Sequence, residues 1–303
     1  MFSKKLSILI ITGGDSSERE ISFLSAKEVK KALEKSGYKV TLFDFKKGSS
    51  ELKKILNNFD AVFPVMHGKQ GEDGKLYKFL KSSGKPYVGS DPQGAKIAFD
   101  KILFKRYCDK HSFPTPKWRV IKKTSDIISF GFPCVLKAAN GGSSKEVALL
   151  NSERDLKTPF VKKILSLDDE FYVEDLIKGV EITVGILDGR SLPVVEIIPP
   201  KGGWFDYSNK YSGESQEIPF APSVSKKIQI LAQKISLEVH ADLGLGSFSR
   251  ADFLVKDGSL YLLEINTPGG VGLTAQSLFP KAAKAAGIDF PNLVDGLVKI
   301  ALV

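Results

Sequence analysis

The hydrophobic and polar positions near the N-terminus alternate between a strand-like and a helix-like pattern. A nearly continuous aliphatic run at 6–11 predicts a buried strand, and the segments 39–43 and 60–65 predict two more strands. Between the first two runs, residues 21–36 place apolar side chains three and four positions apart, which is the spacing of one helix face. Because strand, helix and strand in this order form right-handed crossovers, a parallel sheet is expected. The pattern therefore predicts a doubly wound α/β domain over residues 1–91.

The pattern changes after this first unit. Residues 95–111 predict a helix, whereas residues 199–222 have no periodicity, which in a compact chain is typical of a functional loop. Segments 250–255 and 260–265 flank Lys256-Asp257-Gly258-Ser259 and predict a β-hairpin. Four other short apolar segments predict strands, at 132–136, 170–173, 181–187 and 193–198. The last three of these are expected to form an antiparallel layer.

Charge and hydropathy exclude two classes of partner. The 44 Lys and Arg against 35 Asp and Glu give a net charge of +9, but the lysines are scattered and form no basic stripe with interleaved aromatics, so nucleic acid is not expected. The apolar runs fall far short of the ~20 residues that cross a bilayer, so no membrane partner is expected. Lys4 and Lys5 precede a short apolar run without a cleavage-like pattern, so no signal peptide is expected.

The cysteine and histidine counts bound the chemistry. Cys108 and Cys134 are the 2 cysteines, which argues against a disulfide scaffold and favours a reducing, cytoplasmic compartment. With only 3 histidines in addition, a Cys/His metal site is not expected. Any metal is therefore expected to be a hard ion bound by oxygen ligands.

The predicted hairpin carries the strongest signal for a site. Glu264 and Asn266 are two positions apart on one strand, so their side chains share a face. With a three-residue loop at 257–259, Asp252 lies opposite Glu264 and Arg250 opposite Asn266. Two carboxylates and an amide oxygen on one face suit Mg²⁺, which usually also takes phosphate oxygens. The alternative is a polar strand that faces solvent, which the apolar neighbours of Glu264 disfavour.

A glycine-rich turn offers a place for phosphate. Asn140-Gly141-Gly142-Ser143-Ser144 follows Lys137 by three positions, and consecutive backbone N–H groups beside a lysine can bind phosphate oxygens. An ordinary polar turn is the alternative, because short Gly/Ser segments are common. The segment lacks the Gly-Lys-Ser/Thr of a P-loop, and Gly13-Gly14 lacks the dinucleotide pattern.

Two further groups lie at one edge of the predicted parallel sheet. Glu18 follows the first strand and His67 follows the third, and ligands of open α/β sheets bind at this carboxyl edge. Each residue also has a structural interpretation, Glu18 as an acid in the first turn of a helix and His67 as a packed side chain. Their shared edge favours a binding site.

Taken in order, the motifs resemble those of the D-alanine–D-alanine ligase family of the ATP-grasp superfamily, over nearly the whole chain. The matching segments are Gly13-Gly14-Asp15-Ser16-Ser17-Glu18-Arg19-Glu20-Ile21-Ser22, His67-Gly68-Lys69-Gln70-Gly71-Glu72-Asp73-Gly74, Tyr87-Val88-Gly89-Ser90 with Asp100-Lys101, Asp206-Tyr207-Ser208-Asn209-Lys210-Tyr211, Arg250-Ala251-Asp252 and Glu264-Ile265-Asn266-Thr267-Pro268-Gly269. The resemblance implies a two-lobed ATP-grasp α+β unit after the first domain, with a central lobe at 92–176 and a C-terminal lobe at 177–303.

The resemblance also implies which residues bind ATP and metal. Lys101, Lys137 and Ser144 would contact the ATP phosphates, Glu174 and Ile177 would flank the adenine, and Glu181 would hold the ribose. Asp252, Glu264 and Asn266 would bind two Mg²⁺ ions, with Mn²⁺ as an alternative.

Substrate contacts are implied in the same way. Glu18 would engage the ammonium of the first D-alanine and would be linked through Ser143 to Tyr211. Arg250 and a backbone N–H near Gly272 would stabilise the oxyanion. His67 and Lys210 would contact substrate, and Ser277 and Leu278 would receive the carboxylate of the second D-alanine.

The leading hypothesis is a cytoplasmic, ATP- and Mg²⁺-dependent ligase that joins two D-alanines for peptidoglycan precursor synthesis, a homodimer by resemblance. Two departures from the family pattern support alternatives. The segment 266–274 is longer than in the family, which favours the same fold with another acceptor. Lys145-Glu146 replaces Val-Gly in the phosphate loop, which favours a non-catalytic nucleotide-binding relative.

Overall fold

Three β-sheets organise the part of the chain that the computed structural model describes, residues 5–141, 146–199 and 215–303. The first sheet is parallel, in the order β2-β1-β3, and consists of β1 (Ser7–Thr12), β2 (Lys39–Asp44) and β3 (Ala61–Pro64). Helix α1 (Arg19–Lys35) covers it and buries Val29 and Leu33. The predicted parallel α/β unit is confirmed, with strand ends within two residues of those expected.

Three short helices flank β3, the last strand of this sheet. Helix α2 (Gly48–Ile55) precedes β3, and α3 (Lys69–Glu72) and α4 (Lys75–Ser83) follow it. Helix α3 lies inside the motif at 67–74 and takes up four of its residues. Gly68 and Gly74 both have positive φ, 89° and 83°, and their turns bracket the short helix α3.

A break at Asp100 corrects the single helix expected over 95–111. The structure has two helices, α5 (Pro92–Phe99) and α6 (Lys101–His111). Asp100 is extended, and its carboxylate accepts a hydrogen bond from the Leu103 N–H, so it caps the second helix. The capping places Lys101 at the first position of α6.

The second sheet is antiparallel, in the order β4-β7-β5-β6. Its strands are β4 (Trp118–Ile121), β5 (Cys134–Ala138), β6 (Val147–Leu150) and β7 (Phe171–Asp175). Helices α7 (Thr124–Phe130) and α8 (Pro159–Leu165) pack against it. The strand expected to begin at 132 begins at Cys134, because Pro133 has no N–H to donate to a ladder.

The third sheet is antiparallel, in the order β11-β10-β8-β12-β13, and β9 pairs with β8. Helix α9 (Lys226–Asp242) packs on it. Its strands are β8 (Val180–Leu187), β9 (Arg190–Ser191), β10 (Val195–Ile198), β11 (Gln216–Pro219), β12 (Phe248–Lys256) and β13 (Ser259–Asn266). The expectation of a loop throughout 199–222 was wrong at β11, whose order comes from pairing with β10 rather than from its own pattern.

The β12–β13 hairpin contains the expected residue pairs, but its turn is shorter than expected and its register is shifted by a bulge. Its turn consists of Asp257 and Gly258, both with positive φ, so the expected three-residue loop was wrong. Asp252 nevertheless pairs with Glu264, because a β-bulge leaves Leu263 without a partner between Leu262 and Glu264. The turn is one residue shorter than expected, and the bulge adds one residue to β13, so the Asp252–Glu264 pair is retained.

The last two helices return to the first sheet. Helices α10 (Leu278–Ala285) and α11 (Phe290–Ala301) contribute Phe279 and Leu297 to the same buried core as Ile10 of β1 and Leu33 of α1. The side chain of Tyr38 donates a 2.8 Å hydrogen bond to Asp295 on α11. Within the described ranges, no helix has the length and apolar content needed to cross a membrane.

Candidate active site

A cavity of about 1200 Å³ is lined by residues from the two antiparallel sheets and from the segments that follow β1 and β3 of the parallel sheet. Every residue to which the resemblance gives a role and that lies within the described ranges borders it: Glu18, His67, Lys101, Lys137, Glu174, Ile177, Glu181, Arg250, Asp252, Glu264, Asn266, Gly272, Ser277 and Leu278. Ser143, Ser144, Lys210 and Tyr211 lie outside the described residues.

One end of the cavity lies at the carboxyl edge of the parallel sheet. Glu18 and His67 are both buried there. The Ser22 hydroxyl accepts the His67 backbone N–H at 2.9 Å, and the Ser16 hydroxyl donates to the His67 carbonyl at 2.8 Å. Burial lowers the pKa of His67 although the Glu18 carboxylate opposes this. The site therefore presents a neutral imidazole beside a carboxylate.

Arg250 is fixed by Asp252 at the centre of the cavity. Its Nε and Nη2 donate to the two oxygens of Asp252 at 3.0 and 2.8 Å. Burial alone would lower the pKa of Arg250, but Asp252, Glu264 and Glu181 outweigh it and raise the pKa further. A buried guanidinium held by both carboxylate oxygens is a permanent cation with a defined direction.

The oxygen ligands expected for a metal are adjacent to this pair. Within the described residues, no three His, Cys, Asp or Glu side chains form a metal-binding group, so the Asn266 amide would have to supply the third ligand. Asp252 already accepts four hydrogen bonds, two from Arg250, one from Thr183 at 2.6 Å and one from the Asn266 amide nitrogen at 3.0 Å. The set fits Mg²⁺ by ligand type, and a cation at Asp252 would replace one of these donors.

Two lysines flank Glu174 at the opposite end of the cavity. Lys137 on β5 and Lys105 on α6 place their Nζ atoms 2.5 and 2.6 Å from the two Glu174 oxygens. Burial raises the pKa of Glu174, but the two ammonium groups outweigh it and hold the pKa at about 2. The neighbouring cavity wall is an apolar slot, formed by Val135, Leu149, Leu176, Ile177, Leu254 and Leu263.

Lys101 lies between the two ends. Its backbone N–H donates to the Ala139 carbonyl at 3.0 Å, and its Nζ donates to the Gly141 carbonyl. These bonds hold the first turn of α6 against the start of the glycine-rich turn, whose residues 142–145 lie outside the description. Glu146, the acid that departs from the family pattern, borders the cavity just beyond that gap.

Helix α10 begins at the cavity. Ser277 precedes it, but the Ser277 hydroxyl bonds Thr274 Oγ1 at 2.9 Å instead of capping the helix. The N–H groups of the first turn, with Leu278 as the first residue, therefore have no side-chain cap. An uncapped helix N-terminus favours a carboxylate ligand.

Glu72, Lys281 and Glu217 are among the charged cavity residues that were not assigned a role from the sequence. Glu72 accepts the Gly68 N–H at 2.6 Å, and burial, with Glu18 and Glu264 nearby, raises its pKa to about 7. Its position within the 67–74 motif was the available signal. Lys281 and Glu217 form an ion pair of 2.6 Å at the cavity wall. No sequence signal pointed to that pair, because Glu217 lies in the segment interpreted as a loop.

Comparison with known proteins agrees with this geometry. Family models described as "D-ala D-ala ligase N-terminus" and "D-ala D-ala ligase C-terminus" match residues 45–90 and 111–299. The D-alanine--D-alanine ligase of Nitratidesulfovibrio vulgaris (strain DP4) is 35% identical over 302 residues, 98% of this chain and 98% of the relative. The D-alanine--D-alanine ligase of Aquifex aeolicus (strain VF5) is 37% identical over 297 residues, 96% of this chain and 99% of the relative.

A solved structure extends the agreement to the fold. The D-alanine--D-alanine ligase of Bacillus anthracis, crystallised as a complex with ATP, superimposes with a TM-score of 0.84 at 29% identity and covers 98% of this chain and 97% of its own. The predicted fold, an α/β domain followed by an ATP-grasp unit, is confirmed by this neighbour. Since the relatives match along the full length, through the strands and loops that form the cavity, the chain belongs to the D-alanine–D-alanine ligase family.

Proposed function

We propose that the protein is an ATP-dependent ligase that joins two D-alanines through an acyl phosphate and so supplies the dipeptide for peptidoglycan precursors. The cavity is the observation that carries this proposal, because its lining combines apolar residues that suit an adenine with two ends that suit amino acids, around one buried arginine. The relatives that match the whole chain carry the ligase name, and one of them was crystallised with ATP.

In the first half-reaction the donor carboxylate must become a better acyl donor. The Glu18 carboxylate would hold the ammonium group of the first D-alanine, and this would direct the substrate carboxylate toward the centre of the cavity. Lys101 and Lys137 would neutralise the phosphates, since phosphoryl transfer depends mainly on positioning and charge. The slot near Ile177 would hold the adenine, with Glu181 at the ribose.

Divalent metal is expected at the carboxylates of β12 and β13. Bound Mg²⁺ would neutralise charge on the phosphate oxygens. Asp252, Glu264 and Asn266 would hold the ions, and Asn266 would use its amide oxygen because its amide nitrogen donates to Asp252. A metal ion that binds Asp252 would replace one of the hydrogen bonds to this carboxylate. The released N–H or O–H group would then be available to a substrate.

In the second half-reaction the amine of the second D-alanine attacks the acyl phosphate. Arg250, with a backbone N–H near Gly272, would stabilise the oxyanion that forms. The uncapped first turn of α10, at Ser277 and Leu278, would hold the acceptor carboxylate. Segment 200–214, which carries Lys210 and Tyr211, and the turn at Ser143 would exclude water; both lie outside the described residues.

ADP release in the presence of Mg²⁺ and ATP tests the proposal. D-alanine should stimulate release and form the dipeptide, whereas L-alanine and D-lactate should give little product. Turnover only with another amine would support a ligase with a different acceptor. Nucleotide binding without any amino-acid-dependent release would support a non-catalytic relative and would contradict the proposal.

Organisation and location follow as further proposals. The three sheets support domain boundaries near residues 91 and 176, which limited proteolysis tests. A cytoplasmic location is supported by the two buried free cysteines, Cys108 and Cys134, and by the need for ATP. The homodimer is tested by sedimentation of the purified chain.

A further inference from the structure

Lys105 is a buried charge behind the cavity wall. Its side chain is 1% exposed, and it is not among the residues that border the cavity. It lies one turn after Lys101 on α6, and its Nζ is 2.6 Å from Glu174 Oε2. No cavity ligand can replace Glu174 as the partner of Lys105, because the ammonium group does not reach the cavity.

A second observation shows how firmly Lys105 is held. The Lys105 ammonium donates to the Thr115 hydroxyl, which in turn donates to the Leu262 carbonyl at 2.8 Å. Leu262 is the residue before the bulge that places Glu264 in the cavity. Lys105 therefore has two fixed partners, on β7 and, through Thr115, on β13.

Lys137 differs from Lys105 in both respects. Its side chain is 16% exposed, it borders the cavity, and it bonds the other Glu174 oxygen. Two cations share the Glu174 carboxylate, and the more distant Glu264 and Glu181 carboxylates also act on Lys137, which therefore has anionic neighbours on its cavity side as well. The anion that enters beside Lys137 in the proposed function is the phosphate chain of the nucleotide.

We propose that Lys105 is a positioning residue of the nucleotide site, the fixed counter-ion of Glu174 that allows Lys137 to leave this carboxylate for the nucleotide phosphates. Glu174 then stays paired when Lys137 moves, so no carboxylate is left buried and uncompensated. The inference rests on the proposed nucleotide site, but it does not depend on which amino acids are joined.

The test compares the binding of ADP with that of adenosine to the full-length protein by calorimetry. In Lys105→Met, Lys137 becomes the only cationic partner of Glu174 among the described residues and is retained there. We expect ADP affinity to fall on the order of tenfold, the effect of weakening one charge-assisted contact, while adenosine affinity stays within a factor of about two. Lys110→Met is the matched control, because Lys110 is exposed on the same helix.

Each result decides the inference. An equal loss of affinity for ADP and adenosine would show that Lys105 only supports the fold. Unchanged ADP affinity would show that Lys137 contacts the phosphates whether or not Lys105 pairs with Glu174. Either result overturns the proposal. If Lys105→Met does not fold, Lys105→Gln serves instead, since its amide can still donate to Glu174 without the charge, and the same selective loss is expected. Failure of the unmutated protein to bind ADP would contradict the proposed function itself.

Discussion

At the scale of single residues, the site is organised by carboxylates whose hydrogen bonds fix their neighbours. Asp252 orients Arg250, Thr183 and Asn266 at once, whereas Glu264 faces the cavity from the paired position on β13. Glu264 therefore contributes its charge to the ligands rather than to the fold. This difference predicts that substitutions at the two positions differ in their effect on stability.

Glu264→Gln should abolish D-alanine-dependent ADP release while leaving the midpoint of thermal unfolding within a few degrees of the parent. The change retains the shape of the side chain and removes a charge that a divalent ion needs. Asp252→Asn is the comparison, and it should also lower stability, because it weakens four hydrogen bonds. Near-normal turnover by the Glu264 variant would contradict the metal assignment.

A second carboxylate acts on stability through pH. The Arg19 guanidinium donates to both oxygens of Asp44, at 2.8 and 2.5 Å, and holds the pKa of Asp44 at about 2 against an ordinary value of 3.8. Because the folded-state pKa is depressed, the stabilising contribution is complete above about pH 4 and is lost as the pH falls through about 2. Asp44→Asn should therefore lower the unfolding free energy at pH 7 and flatten its decline between pH 4 and 2.

Urea unfolding across that pH range measures the effect. The same guanidinium donates to the Gly14 carbonyl, so the ion pair also fixes the glycine turn that leads to Glu18. Parallel curves for the parent and Asp44→Asn below pH 4 would contradict the assignment.

At the scale of elements, the bulge in β13 determines that Leu262 lies in the hydrophobic core and that Leu263 lies at the cavity. Strict alternation would give Leu262 and Glu264 one face and Leu263 the other. In the structure Leu262 pairs with Phe253 and both are fully buried, whereas Leu263 borders the cavity beside Glu264. The hydrophobic core and the site therefore draw on neighbouring residues of one strand.

The bulge predicts a reversal between two alanine variants. Leu262→Ala should lower the unfolding free energy by about 2–5 kcal/mol, as for other buried leucines, with little effect on ADP affinity. Leu263→Ala should lower stability much less and weaken ADP binding, because it opens the apolar slot. Denaturant unfolding and ADP titration of both variants provide the comparison, and the opposite assignment of effects would support a regular ladder.

The sequence predicted elements with a strong period and missed those that depend on distant partners. The parallel strands and α1 were predicted because their apolar faces repeat along the chain. Strand β11 was missed because its pairing with β10 is tertiary, and the bulge was missed because only the register shows it. The cavity residues came from motifs, whereas Lys105, Lys281 and Glu217 lie outside every motif and became visible through their ion pairs.

At the scale of the whole molecule, the cavity lies where separate cores meet. The central sheet has its own buried core, whereas the parallel sheet shares one core with α10 and α11. A nucleotide in the cavity would contact both groups of elements and would oppose their separation. Binding to the native state alone stabilises it according to ligand concentration.

Mg²⁺ with ADP should therefore raise the unfolding midpoint of the parent protein. At about 100 times the dissociation constant the stabilisation is about 2.7 kcal/mol, which is several degrees for a chain of this size. Differential scanning calorimetry over a series of ADP concentrations measures the shift. A midpoint that does not change with ADP would contradict nucleotide binding at this cavity.

The packing of the last two helices on the first sheet has an evolutionary consequence. Glu18 enters the cavity from the start of α1, and Ser277 from the start of α10, and both helices belong to the same core. A hydrogen bond of 2.9 Å from the Ala275 N–H to Glu28 links α1 to the segment just before α10. We therefore expect the two proposed amino-acid ends of the cavity to behave as one module, although nearly the whole chain separates them. A chimaera that takes only the central sheet, β4-β7-β5-β6, from a relative should show the nucleotide affinity of that relative. It should retain the amino-acid specificity of this protein.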